Sequence, residues 1–212
     1  MIPCMIVPIL KGPEILYRML DTIDYPIRKL IIIDNGDALT TSTGWPIEHV
    51  QSTKVIKMPA NLGVAGSWNL GIKADPFSPW WLIANYDVEW PAGSLRAFYE
   101  QATDGVVLAE SPQPWSAFAL SEDAVKRVGL FDEGFHPAYF EDTDYEMRCQ
   151  IEGVKITRSK IPIIHHNSST LQFFGERNNT TYLNNCDYWQ RKREKPNEGG
   201  WSLERRRVNS WD

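Results

Sequence analysis

Leu30-Ile31-Ile32-Ile33-Asp34-Asn35-Gly36 is the stretch that decides the fold. Four apolar residues in a row, with no polar alternation, describe a strand covered on both faces. Strands of that kind belong to parallel sheets sandwiched between helices. The run breaks off in Asp-Asn-Gly, a strong turn sequence. That places polar side chains at the carboxyl edge of the strand, where open α/β sheets bind their ligands.

Working outward, the segment before this strand reads as strand then helix. Ile2 to Leu10 is apolar. Gly12 and Pro13 open a helix in which Ile15, Leu16, Met19, Leu20 and Ile23 recur at helical spacing, and Pro26 stops it. Downstream, Val55 to Met58 and Trp80 to Ala84 are short strands, separated by a glycine-studded helix start from Asn61 to Gly71. A helix over Ala92 to Ala102 follows, then strands at Val106 to Ala109 and Ala117 to Leu120. Ser121, followed by Glu122 and Asp123, caps the next helix. Glu141 to Ile151 is helical up to Gly153, and Val154 to Thr157 and Ile161 to Ile164 are late strands. After Thr170 the pattern weakens, with a short helix from Asn178 to Arg191. The expected architecture is α/β, a mostly parallel twisted sheet in one domain over residues 1–170. Residues 171–212 form a partly helical extension with a basic tail.

The chain has 212 residues, 42% of them hydrophobic, and a net charge of −5. This suits one well-filled core. No basic field draws in nucleic acid. The charge is uneven: residues 1–190 hold 15 Lys or Arg against 23 Asp or Glu, and residues 191–212 hold 7 against 4. Such a tail is either a solvated end or a peripheral contact for a membrane or another anionic partner. Three scattered cysteines, Cys4, Cys149 and Cys186, show no metal-binding spacing. They point to structural thiols in a reducing, cytoplasmic setting. The first ten residues read as a buried strand rather than a leader, and no apolar run reaches membrane-spanning length.

Several polar groups sit where chemistry is done. Asp34 ends a strand, where a carboxylate can accept a bond from a base or a ribose hydroxyl; the same Asp also suits a plain turn. In Asn61 to Gly71, glycines admit a ligand close to the backbone and a helix start offers N–H groups to anions. Small residues also let a helix pack tightly on a sheet. Asn85-Tyr86-Asp87 follows a buried strand, and Mg²⁺ or Mn²⁺ needs only one or two carboxylates when diphosphate oxygens complete its shell. Glu141, Asp142, Asp144 and Glu146 crowd one helix start. The macrodipole welcomes one or two of them. Four within six residues repel, and the repulsion raises a pKa toward that of a general base. Glu141 and Asp144 share a helix face, and Asp142 points elsewhere. His165 and His166 are adjacent in an extended segment, so one of them faces a site. An imidazole is a transition-metal ligand.

Taken in order, Asp34, Asn61-x-Gly-x-x-Gly-x-x-Asn69, Asn85-x-Asp87, Gly129-x-Phe-Asp-Glu133, Phe140-Glu-Asp-x-Asp-x-x-x-Arg148 and His165 resemble the inverting family 2 glycosyltransferases of the GT-A fold. The similarity is greatest to rhamnosyltransferase-like and galactofuranosyltransferase-like members, and it covers roughly residues 2–170. Tyr188-Trp189-x-x-Lys192 is faintly similar to a C-terminal motif of relatives. The resemblance implies a role for each residue. Asp34 would hold the base or ribose. Asn61, Gly63, Asn69 and Asn85 would line the nucleotide-sugar pocket. Asp87, with His165 or His166 and His165 preferred, would hold Mn²⁺ or Mg²⁺. Asp142 would be the base, with Glu141 beside it on the acceptor, and Trp115 would stack on a sugar. Asn85 stands where relatives usually carry a first Asp. The implied donor is a UDP or dTDP sugar, and the acceptor a glycan, lipid-linked or protein hydroxyl. Two other classes compete: an inactive carbohydrate-binding scaffold, and a sugar-1-phosphate nucleotidyltransferase. The latter usually opens with a basic phosphate loop, of which Lys11-Gly12 is all that is present.

Overall fold

The run Leu30–Ile33 lies within strand β2 (Ile27–Asp34) of the computed structural model, and its four side chains are fully buried. The structure describes residues 1–39, 47–102, 104–166 and 169–194, with only the backbone between 169 and 178. Strands β1 (Met5–Ile9), β2, β3 (Val50–Lys57), β4 (Trp80–Ala84), β6 (Val106–Glu110), β7 (Ala117–Ser121) and β8 (Ile156–Pro162) form one seven-stranded sheet, in the order β3-β2-β1-β4-β7-β6-β8. β1 pairs in parallel with β2 and β4, β2 with β3, and β6 with β8. β7 alone runs against its neighbours. The sheet is therefore mostly parallel, as the unbroken apolar run requires.

Both faces are covered. Leu30 and Ile32 point to the side of helices α1 (Pro13–Asp21) and α3 (Ser94–Gln101), joining Leu16, Met19 and Phe98. Ile31 and Ile33 point to the opposite side, with Trp68 and Ile72 of α2 (Gly63–Ala74), Val125 of α4 (Glu122–Val128) and Tyr145 of α5 (Glu141–Ile151). The period of two along a strand divides one apolar run between two cores. Gly71 lets α2 lie close: a Cβ there would stand 2.3 Å from Ile6. Ser121 caps α4 through its hydroxyl, which accepts from the Ala124 N–H at 3.1 Å.

The differences from the sequence reading fall mainly on edges. β3 begins at Val50 rather than Val55, and β8 bridges the polar stretch Thr157 to Lys160 between the two expected late strands. Both are edge strands, covered incompletely, so their polar residues hide the extended backbone. Two two-residue strands, β5 (Val88–Glu89) and β9 (Ile164–His165), pair antiparallel in a separate ribbon. The last helix, α6 (Ser169–Glu194), is 26 residues long and starts well before Asn178. Several of its described residues are exposed, which blurs its apolar periodicity. The tail beyond 194 lies outside the described residues. Of its charges counted above, Lys192 is buried and serves the fold instead of a partner. No described helix is long and apolar enough to cross a membrane.

Candidate active site

The loops at the carboxyl ends of β1, β2 and β4 surround a cleft of about 760 Å³. β4 ends at Ala84, and the chain turns through Asn85, Tyr86 and Asp87 into β5. The pairing of β5 with β9 sets Val88 opposite His165. The His165 Nε2 consequently lies 3.2 Å from Asp87 Oδ1, both side chains being nearly buried, and both line the cleft. His166 is on the other side of the ribbon. Its Nε2 is 2.8 Å from Glu89 Oε1, and it does not line the cleft. Strand alternation thus separates the two histidines.

Asp87 and His165 are donors of the types that a divalent cation takes. Two cis donors on an octahedral Mg²⁺ stand about 3 Å apart when each bond is about 2.1 Å. The 3.2 Å spacing is close to this value, and it is equally that of a direct imidazole–carboxylate contact. His165 Nδ1 is buried and has no hydrogen-bond partner among the described residues. Among the same residues no group of three His, Cys, Asp or Glu side chains converges. A cation here would take its remaining oxygens from substrate and water, as Mg²⁺ commonly does.

The acids of α5 divide by environment. Glu141 and Asp142 line the cleft. Burial, reinforced by the neighbouring Asp142 charge, pushes Glu141 up to about 8, while the N–H groups of Glu141 and Tyr139 pull the other way. Its Oε2 accepts no hydrogen bond from a described residue. Asp142 is also raised, chiefly by burial, although the Thr143 N–H donates to it at 2.7 Å. Burial outweighs the mutual repulsion expected from the sequence. Asp144 turns inward instead. Its Oδ2 accepts from Arg148 Nε at 2.8 Å, and its Oδ1 is 2.7 Å from Lys192 Nζ. Lys192 also binds Asp132, to which Tyr188 donates at 2.9 Å. Burial alone would raise Asp132, but Lys192 and the bonds from Gly134 and Tyr188 hold it below the usual carboxylate range.

The residues expected at the nucleotide are spent largely on structure. Asp34 is fully buried and accepts from the N–H groups of Gly36, Ala38 and Leu39 at 3.3, 2.9 and 3.0 Å. It does not line the cleft. Asn61 accepts from Gly63 N–H at 2.9 Å, and Val64 N–H donates to Pro137 O at 2.7 Å. The first N–H groups of α2 are therefore already engaged rather than offered to an anion. Gly63 lines the cleft at a φ of 73°, where a Cβ would meet Pro137 O at 2.7 Å. Asn69 clips the Phe131 backbone in both directions and donates to Glu133 at 2.8 Å. Asn85 lines the cleft, and so does Asn35, which the sequence placed only in a turn. Asn35 donates to Ser67 Oγ at 2.7 Å and accepts from Leu62 N–H at 3.2 Å. Trp115 borders the cleft but is only 7% exposed, with its ring edge-on to Phe118 and Tyr145 and its N–H turned to Glu146 at 3.4 Å.

No family model matches the chain. Over 88 residues it is 32% identical to a galactofuranosyl glycosyltransferase of Leishmania donovani, a stretch covering 41% of this chain and 20% of that protein. Two solved structures superpose over most of it. A mannosyltransferase of Pyrobaculum calidifontis, in complex with GDP-Man and Mn²⁺, matches with a TM-score of 0.57 at 15% identity, covering 74% of this chain and 54% of that one. Glucosyl-3-phosphoglycerate synthase of Mycobacterium tuberculosis, in complex with Mg²⁺ and UDP, matches with a TM-score of 0.59 at 13% identity, over 88% and 79%. The chain thus spans a fifth of the curated relative and about half of the mannosyltransferase. At these identities the shared feature is the architecture. The chain has the GT-A fold of glycosyltransferases.

Proposed function

We propose that this protein transfers a sugar from a nucleotide-diphosphate donor to an acceptor hydroxyl, with inversion, using a divalent cation. One observation carries the proposal: a single cleft is bordered by Asp87 and His165 and also by Glu141 and Asp142. A cation site and a raised carboxyl pair in one cleft are the two parts that a single displacement needs.

Asp87 and His165 would hold Mn²⁺ or Mg²⁺, which supplies positive charge to the departing diphosphate. Glu141, raised to about 8, keeps its proton at neutral pH. The negative charge of the pair is assigned to Asp142, whose Oδ1 already accepts from the Thr143 N–H. Asp142 accepts the acceptor's proton as that oxygen forms its bond to the anomeric carbon. The bond from that carbon to the diphosphate breaks on the opposite face, and the nucleoside diphosphate leaves with the electron pair. Glu141, as a neutral acid, donates a hydrogen bond to the acceptor. Asn35, Gly63 and Asn85 face the donor, with Asp34 acting behind them by ordering residues 36–39. UDP or dTDP is the expected nucleotide; the UDP of the mycobacterial neighbour supports a pyrimidine, whereas the mannosyltransferase neighbour holds GDP-Man. The buried thiols Cys4 and Cys149 suit a reducing, cytoplasmic compartment.

A thermal-shift screen of nucleotide sugars with and without Mn²⁺ tests the reading. A donor at a hundred times its Kd adds about 2.7 kcal/mol of stability. Asp87→Ala should remove the Mn²⁺-dependent part of that shift. A variant with its full shift intact would disprove the metal role, and a wild-type protein that responds to none of the donors would disprove the function.

A further inference from the structure

Among the described residues Tyr182 is the most exposed aromatic side chain that lines the cleft. It lies on α6 with 49% of its surface exposed, and Asn179, one turn earlier, also lines the cleft. Its ring meets Tyr139 edge-on at 5.7 Å and leans on Phe140 at 5.2 Å. Those two residues hold backbone φ angles of 81° and 73° directly before Glu141. Bulky residues occupy that left-handed region only under constraint from their surroundings. Asn185, one turn further along α6 and buried, supplies part of it by donating to the carbonyls of Ala138 and Tyr139 at 2.7 and 3.4 Å. The ring of Tyr182 is therefore fixed to the segment that presents Asp142.

We infer that Tyr182, with Asn179 beside it, is the platform on which the acceptor stacks, and that the acceptor presents a sugar ring to the enzyme. This inference rests on the glycosyltransferase reading above. Half-exposed aromatic faces beside a polar amide suit a saccharide, whose C–H face packs on the ring while its hydroxyls find hydrogen-bond partners. Asp87, His165 and Asn35 border the cleft from the sheet side, where the donor diphosphate is expected. The Tyr182 ring packs on the two residues next to the acid pair, which places it on the acceptor's side. Trp115, the stacking residue expected from the sequence, offers little open surface because Phe118, Phe131 and Tyr145 enclose it.

Saturation-transfer NMR on the full chain with Mg²⁺ and UDP tests this, using the methyl glycosides of D-galactose, D-glucose, D-mannose and L-rhamnose as probes. At least one glycoside should receive saturation at its ring protons. Tyr182→Ala should weaken that binding about tenfold, as loss of an aromatic contact does. Tyr182→Phe and Tyr182→Trp should retain it, Leu183→Ala should leave it unchanged, and all four should bind UDP with Mg²⁺ as the wild type does. Tyr182→Leu, which keeps apolar packing against Phe140, replaces the alanine variant if that one does not fold. Undiminished glycoside binding in the alanine or leucine variant overturns the inference. So does the absence of transfer to every glycoside while UDP and Mg²⁺ bind. Glycoside binding through Tyr182 in a protein that does not bind UDP would leave a saccharide platform at Tyr182 but overturn its acceptor role together with the enzymatic reading.

Discussion

Asp34 at the end of β2, Asn61 just before α2 and Asn69 within α2 give most of their hydrogen-bonding capacity to backbone groups. Glu141 and Asp142 line the cleft instead; Glu141 is nearly as buried and less completely partnered, and Asp142 beside it is half-buried. Asp34 receives three N–H groups from its own loop, whereas one Glu141 oxygen receives none from a described residue. A polar group satisfied by the backbone is a construction element. A buried carboxyl left short of partners stores a cost that a substrate can relieve, and such groups gather at functional sites. The same contrast recurs within α5, where Asp144 is locked by Arg148 and Lys192 while its neighbours Glu141 and Asp142 face the cleft.

The hardest test of this contrast removes the charge of Asp142. Asp142→Asn should lower transfer by about 10²–10⁴-fold, the usual contribution of a general base, without loss of UDP binding. Steady-state rates on the identified donor would measure it, and an unchanged rate would erase the distinction between the two groups.

The next effect is on stability and follows from Glu141. Its folded value of about 8 lies above the unfolded 4.5, so the folded chain holds an extra proton between those limits. The contribution is fully present below 4.5 and is lost as pH rises toward 8, at up to about 1.4 kcal/mol per pH unit. Glu141→Gln has no such titration. Its Tm should gain on that of the wild type from pH 5 to pH 9, and parallel Tm profiles would show that Glu141 is not held in its neutral form.

The smallest effect belongs to the backbone-satisfied group. Asp34→Ala deprives three loop N–H groups of their acceptor and should cost about 1–3 kcal/mol in chemical denaturation. UDP affinity should fall only as far as the loop loosens. A loss of nucleotide binding in Asp34→Asn with no loss of stability would move Asp34 from construction to ligand contact.

Much of the fold was legible because local chemistry was unopposed. The apolar run at Leu30–Ile33, the strand Trp80–Ala84, the cap at Ser121 and the helix Glu141–Ile151 all appear where propensity and pattern put them. The edge strands β3 and β8 and the long, exposed α6 were harder to read, because half-covered elements need no strong apolar period. In the site, the sequence brought forward Asp87, His165, Glu141 and Asp142 as types suited to the chemistry. It gave Asn35 no role beyond a turn and held no signal for Tyr182, which stands on a helix with little amphipathic pattern.

By itself the sequence determined a doubly covered, mostly parallel sheet with polar groups at its carboxyl edge, because burial on both faces dictates an unbroken apolar run. Only the tertiary structure decided which of those polar groups face the cleft. That choice depends on long-range partners: β9 turning His165 toward Asp87, Lys192 claiming Asp144, and the backbone of residues 36–39 claiming Asp34. Adjacent residues of one chemical type look alike in a sequence, and what surrounds each carboxylate or imidazole in space fixes its solvation, its protonation and what it can bind.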